Sequence, residues 1–127
     1  MPESFNAIVP ANRALLFGFR LALRDWLETL SLARGVEDAL VVAVHEAVSN
    51  GVEHGSGEPV RVEGTAMRRR PVVEVTTKGS WIATEESDGA LAERGRGLAL
   101  MRALTDLELQ VVDGCVTIRL RPSQSVA

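Results

Sequence analysis

Cysteine is nearly absent: Cys115 stands alone in 127 residues, so the chain can close no internal disulfide and build no thiol-rich metal site. Long apolar runs are missing too. No stretch approaches the ~18 residues that would cross a bilayer, which excludes a membrane-spanning helix. The opening residues Met1-Pro2-Glu3-Ser4 carry no basic segment leading into an apolar one, so the expectation is a soluble, cytoplasmic protein with no membrane partner. Neither sign of charge dominates. With 14 basic and 17 acidic residues and a net charge of −3, no face is built for phosphate backbones, and nucleic acid is not an expected partner. The one basic run, Arg68-Arg69-Arg70, falls between two strand-like segments and reads first as a solvated hairpin loop. There are no internal repeats and no low-complexity linkers. A chain that is 46% hydrophobic and 24% charged fits a single globular domain over residues 1–127 with a sizeable core.

Periodicity supplies the order of elements. Phe5, Ala7 and Val9 alternate with polar neighbours until Pro10, which predicts a short strand. From Asn12 to about Leu32, the residues Leu15, Leu16, Phe19, Leu23, Trp26, Leu27 and Leu30 recur at helical spacing, with Arg13, Arg20, Arg24 and Glu28 on the wet side. A second helix begins after Ala33-Arg34-Gly35, with Glu37 and Asp38 in a first turn where the helix dipole favours acids. The later part is strand-rich. Val60, Val62 and Ala66 alternate with Arg61, Glu63 and Thr65, and Val73 and Val75 alternate with Glu74 and Thr76. Asp113-Gly114 is a two-residue type I′ turn signal that fixes a register. It pairs Val112 with Cys115, Val111 with Val116, Gln110 with Thr117, Leu109 with Ile118, Glu108 with Arg119 and Leu107 with Leu120. A sheet that is dry on one face needs its helices layered on that face only. The fold class expected is therefore an α/β (α+β) two-layer sandwich.

Polar residues break the apolar pattern of the second helix in one place. Glu46, Asn50 and His54 lie four residues apart and stack along one stripe, while Val44, Val48 and Val52 continue the buried side. Asn50-Gly51 is a poor pair for a helix interior, since glycine costs about 1 kcal/mol relative to alanine. Local rules are broken mostly at functional sites. The plain alternative is a helix that ends here, with Gly51 in a left-handed cap and both charged residues solvated.

A second unusual stretch follows the strands. Thr84 to Gly95 is acidic and poor in large apolar residues, which predicts a mobile loop. It leads into Arg94-Gly95-Arg96-Gly97 and then Leu98 to Leu104, which reads as a short helix. Glycines just before a helix let an anion approach the free N–H groups at its start. Neither common nucleotide motif is present, because Leu100 stands where G-x-G-x-x-G needs its third glycine and no G-x-x-x-x-G-K-[ST] occurs. An ordinary flexible loop is the competing reading.

In this order the pieces resemble the GHKL ATPase superfamily, the Bergerat fold of histidine-kinase catalytic domains and gyrase B. More closely they resemble the bacterial anti-sigma-factor serine/threonine kinases. The family's N-box is similar to Glu46-Ala47-Val48-Ser49-Asn50-Gly51-Val52-Glu53-His54. Its first glycine box looks like Thr77-Lys78-Gly79-Ser80-Trp81 and its second like Gly95-Arg96-Gly97-Leu98-Ala99-Leu100-Met101. The resemblance implies a mixed, mostly antiparallel sheet with helices on one face, ATP and Mg²⁺ as cofactors, and regulation of transcription.

Carried over by position, it implies that Asn50 is the metal ligand, which suits an ion that keeps waters and phosphate oxygens as most of its shell. It implies that Glu46 is the catalytic base taking a proton from a serine hydroxyl or water. His54, Thr77, Gly79, Gly95, Arg96, Gly97 and Leu98 would line the nucleotide, with Thr84 to Arg94 as a lid. The implied partners are a sigma factor and an anti-anti-sigma protein of the STAS type, together with a second copy in a homodimer. Phe17, off the main stripe of the first helix, agrees with that last implication. One departure stands out. Where the family places an adenine-binding aspartate this chain has Thr77, which is uncharged and shorter. The alternative reading is a degenerate, non-catalytic module that acts as a protein-binding switch.

Overall fold

The computed structural model describes residues 4–79 and 91–123, without the side chains of 91–96. Five strands form one sheet: β1 (Ser4–Val9), β2 (Val60–Met67), β3 (Arg70–Lys78), β4 (Thr105–Val112) and β5 (Cys115–Pro122), in the spatial order β1-β2-β3-β5-β4. Every pairing among them is antiparallel. Among the described residues three α-helices, α1 (Leu16–Glu28), α2 (Arg34–His54) and α3 (Leu91–Leu104), complete the two-layer sandwich.

Alternation along the strands builds the core. Val60, Val62, Val73, Val75, Val116, Ile118 and Leu120 point to one face and are buried. They meet Leu23, Leu27, Leu40, Val44, Val48 and Met101 from the helices. The opposite face is polar: Glu74 accepts from Arg119 Nε at 2.8 Å, and Arg119 Nη1 lies 3.6 Å from Glu108. The predicted hairpin register is observed pair for pair, from Val112↔Cys115 to Leu107↔Leu120. Asp113 and Gly114 both have positive φ, 52° and 77°, as a type I′ turn requires.

Three boundaries differ from expectation. Helix α1 begins with a 3₁₀ turn at Arg13–Leu15, where Asn12 Oδ1 accepts from the Ala14 N–H at 2.9 Å. It stops at Glu28, because the N–H groups of Thr29 and Leu30 fold back three residues and Ser31 takes φ 55°. Leu30 is still buried, so its helical spacing reflects the core and not the helix. The third helix begins at Leu91, seven residues before the expected start. Residues 84–90 of the predicted loop lie outside the described residues. The third boundary is the β2–β3 hairpin, whose turn is Arg68-Arg69 with φ 54° and 65° while Arg70 already belongs to β3. Left-handed conformation at a residue other than glycine costs roughly 1 kcal/mol or more.

Helices α1 and α2 are locked by Arg24, whose Nη1 donates to Glu37 at 2.8 Å and to Asp38 at 3.0 Å. Trp26 packs through a gap in β2. A Cβ on Gly64 would lie 2.8 Å from the Trp26 ring, and Phe5 stacks on that ring at 5.7 Å. Helix α2 therefore runs through the centre of the helical layer, fixed from both sides, and its last turns form the floor of the site.

Candidate functional site

The site is assembled on the second half of α2. That helix continues without interruption to His54, and Gly51 is buried inside it with no positive φ. The alternative of a helix capped at Gly51 is thereby overturned. Close approaches from β2 and β3 explain why glycine is needed there and one turn later. A Cβ on Gly51 would stand 2.5 Å from Thr77 Oγ1 and 2.9 Å from Val60 Cγ2, and one on Gly55 would stand 2.7 Å from Thr77 Cγ2. The Thr77 side chain, only 3% exposed, lies in a notch cut by the two glycines. The helix propensity lost at Gly51 is the cost of letting β3 approach.

Beyond the notch, β3 ends on the close of α2 and on the β4–β5 turn. Ser56 N–H donates to Lys78 O at 3.1 Å and Gly79 N–H donates to Gly114 O at 2.5 Å. Gly79 itself sits at φ 131°, a value that L side chains rarely adopt. Thr77 and Gly79 are thus held against the C-terminal end of α2. Ser80 and Trp81 of the same box lie outside the described residues.

The other wall comes from α3. A Cβ on Gly97 would lie 2.8 Å from Asn50 Nδ2 and 3.0 Å from Glu46 Oε2. The two groups picked from the stripe, one turn apart, face the same glycine backbone. Both are half-buried, and among the described residues neither has a hydrogen bond or an ion pair. His54 continues the stripe, with Nε2 3.5 Å from Glu53 Oε1, and Arg13 reaches the same Glu53 at 3.0 Å. Leu98 is buried in the core, so its side chain is a packing residue.

The backbone of the second glycine box departs from expectation. Gly95, Arg96, Gly97 and Leu98 were expected just before a helix, with free N–H groups. Here they lie inside α3, where the N–H of each residue is directed to the carbonyl four residues earlier. The free N–H groups of α3 belong to its first turn, from Leu91. Two glycines so close to a helix start weaken it by about 1 kcal/mol each, which leaves this end of α3 the easiest part to unwind.

Sequence reasoning overlooked His45. It precedes Glu46 on α2, and its Nδ1 is buried without a partner among the described residues. Burial, and then the positive charge of Arg20, hold its pKa below the ordinary histidine value, against the opposing pull of Glu46. A histidine beside Glu46 was visible in the chain, but nothing in its spacing marked its Nδ1 as buried. Gly51 and Gly55, four residues apart, were the readable sign of the notch, and only the approach of Thr77 explains them.

A Mg-nucleotide suits these residues. An amide and a carboxylate that have no hydrogen-bond or ion-pair partner among the described residues lie beside a glycine wall that any Cβ would fill. Among the described residues no group of three or more His, Cys, Asp or Glu could hold a metal by itself, so a divalent ion at Asn50 would draw most of its shell from phosphate and water.

Comparison with known proteins gives the same fold. The model of the histidine kinase-like ATPase domain family matches residues 9–121. Among solved structures, the crystal structure of the RsbU and RsbW domains of Rv1364c from Mycobacterium tuberculosis is similar at a TM-score of 0.76 and 22% sequence identity. The match covers 97% of this chain and 32% of that one, so this chain spans about a third of its length. No curated protein matches the chain.

Proposed function

The chain belongs to the histidine kinase-like ATPase domain family, matched from residue 9 to 121, and on that premise we propose a nucleotide-dependent regulatory kinase of the anti-sigma-factor type. It binds Mg-ATP between α2 and α3, holds a sigma factor, and phosphorylates a serine on an anti-anti-sigma protein of the STAS type. The observation that carries this reading is the convergence of Gly97 on Asn50 and Glu46. The structural neighbour, which carries RsbU and RsbW domains in one polypeptide, supports a role exercised through protein partners.

Each residue then has a task. When bound, Mg-ATP supplies the phosphoryl group together with a metal charge that neutralises it. Asn50 would hold the metal through its amide oxygen. Glu46, one turn away, accepts the proton of the attacking serine hydroxyl as general base. Thr77, seated in the notch of Gly51 and Gly55, would mark the end of the site where the purine is held. For α3 to cradle phosphate through Gly95 to Leu98, its first two turns unwind, and Arg96 then stands beside the phosphates. A homodimer fits the outer surface of α1, where Phe17 is 71% exposed and Leu21, one turn on, is 50% exposed.

One observation favours a second reading. Thr77, in place of an aspartate, offers a neutral hydroxyl at the floor, and a module that keeps partner binding without phosphoryl transfer would tolerate that change. Transfer of labelled γ-phosphate to a STAS-type partner separates the two. Glu46→Gln keeps the size and polarity of the side chain but cannot take the proton, so transfer falls by roughly 10²–10⁴-fold with nucleotide affinity little changed. Equal transfer by wild type and variant removes Glu46 from the mechanism.

A further inference from the structure

The tip of the β2–β3 hairpin carries a second surface, unconnected with the nucleotide site. Arg68, Arg69 and Arg70 are consecutive and exposed, and none has a carboxylate within ion-pair distance among the described residues. Arg13, Arg24, Arg34, Arg119 and Arg121 each face a glutamate or aspartate within 4 Å, while Arg20, Arg61 and Arg102 stand singly without one among the described residues; what sets the tip apart is three such arginines in a row. The turn itself is built against preference. Its two central residues sit at φ 54° and 65°, a conformation for which Asn-Gly is the usual choice and arginine is penalised. A conformational penalty kept at an exposed tip asks for a function. Beside the turn, Met67 pairs with Arg70 across the strands and is 77% exposed, more than any other large apolar residue described.

We propose that this tip docks an acidic, partly apolar segment of a partner protein, whose carboxylates meet the three guanidinium groups and whose apolar residue covers Met67. Guanidinium pairs with carboxylate in a two-pronged geometry. The methionine argues for protein over nucleic acid, because a phosphate backbone gives a thioether nothing to pack on. Arg70 and Thr77 lie at opposite ends of β3, roughly 23 Å apart at strand spacing. Docking here leaves the nucleotide floor untouched.

The test uses the ¹⁵N-labelled chain and a short peptide of alternating glutamate and leucine. Amide shifts are expected to saturate and to concentrate on residues 67–70. Affinity should fall at least tenfold between about 0.1 M and about 1 M salt, as the Debye length shrinks from about 10 Å to about 3 Å. Arg68→Asn combined with Arg69→Gly suits the turn better, so this variant should melt at or above the wild-type temperature and bind Mg-ATP as wild type does. It should lose peptide affinity at least tenfold, and Met67→Ala should lose it a few-fold. The proposal is overturned by an absence of saturable shifts at 67–70, by a double variant that binds the peptide as wild type does, or by a single-stranded oligonucleotide that binds the tip more tightly than the peptide.

Discussion

Two glycines sit inside helices in opposite surroundings, and alanine at each separates what a helix prefers from what the site requires. Around Gly18 on α1 a Cβ would meet nothing within 4 Å. Alanine there gains helix propensity of about 1 kcal/mol with no steric cost, which raises the melting midpoint by roughly 4 °C in a domain of this size. Gly97→Ala gains the same propensity, but its Cβ would stand 2.8 Å from Asn50 Nδ2 and 3.0 Å from Glu46 Oε2. Both atoms are the ends of half-exposed side chains, so they turn aside by roughly half an ångström and the helix pair stays folded. Relieved crowding of this kind costs less than the roughly 1–3 kcal/mol of true overpacking. The stability gain is therefore offset, and the melting point of Gly97→Ala should stay near that of wild type or below it. Function bears the larger effect. With Asn50 and Glu46 rotated off their positions, Mg-ATP affinity measured by calorimetry should fall at least tenfold, about 1.4 kcal/mol, while Gly18→Ala binds as wild type does. If Gly97→Ala instead melts as high as Gly18→Ala and binds normally, Gly97 does not lie against this pair and the site is wrongly assembled.

The half-buried His45 gives a pH prediction. Because burial and Arg20 hold the His45 pKa below that of the unfolded chain, the unfolded state takes up the proton first, and stability is lost as pH falls below about 6.5. Urea unfolding of wild type and His45→Gln between about pH 7.5 and about pH 5 should show a wild-type slope that the variant lacks, bounded by about 1.4 kcal/mol per pH unit for one proton; parallel slopes would remove His45 as the cause. At the floor of the site, Thr77→Asp supplies a charged acceptor for an adenine amino group. A hydrogen bond to a charged partner contributes roughly 1.5–3 kcal/mol, or one to two decades in affinity. Preference for ATP over GTP should rise by that factor in competition binding, and an unchanged ratio would show that Thr77 does not read the base.

Much of this structure was legible because local signals and burial agree. The β4–β5 register followed from Asp113-Gly114, since a two-residue loop leaves no freedom and each inward residue found an apolar partner. The stripe of Glu46, Asn50 and His54 followed from helical spacing alone. What spacing could not supply was approach between elements. That Thr77 fills the notch of Gly51 and Gly55, and that Gly97 touches Asn50, depends on how β3 and α3 pack on α2. The start of α3 was misplaced for a related reason. Glycines at 95 and 97 lower helix propensity, yet the helix extends through them to Leu91, anchored further along by the buried Leu98 and Met101. The end of α1 was overrun because Leu30 keeps the helical period while the backbone has already turned.

Calorimetric titration of Mg-ATP, with and without the metal, into wild type and Asn50→Ala tests most directly whether the stripe on α2 is a nucleotide site. Truncating a half-exposed polar residue should leave the fold and its melting point nearly unchanged. The expected result is saturable, Mg²⁺-dependent binding by wild type that disappears in Asn50→Ala. Binding by the variant as tight as wild type, or no nucleotide binding by wild type at millimolar concentration, would contradict it.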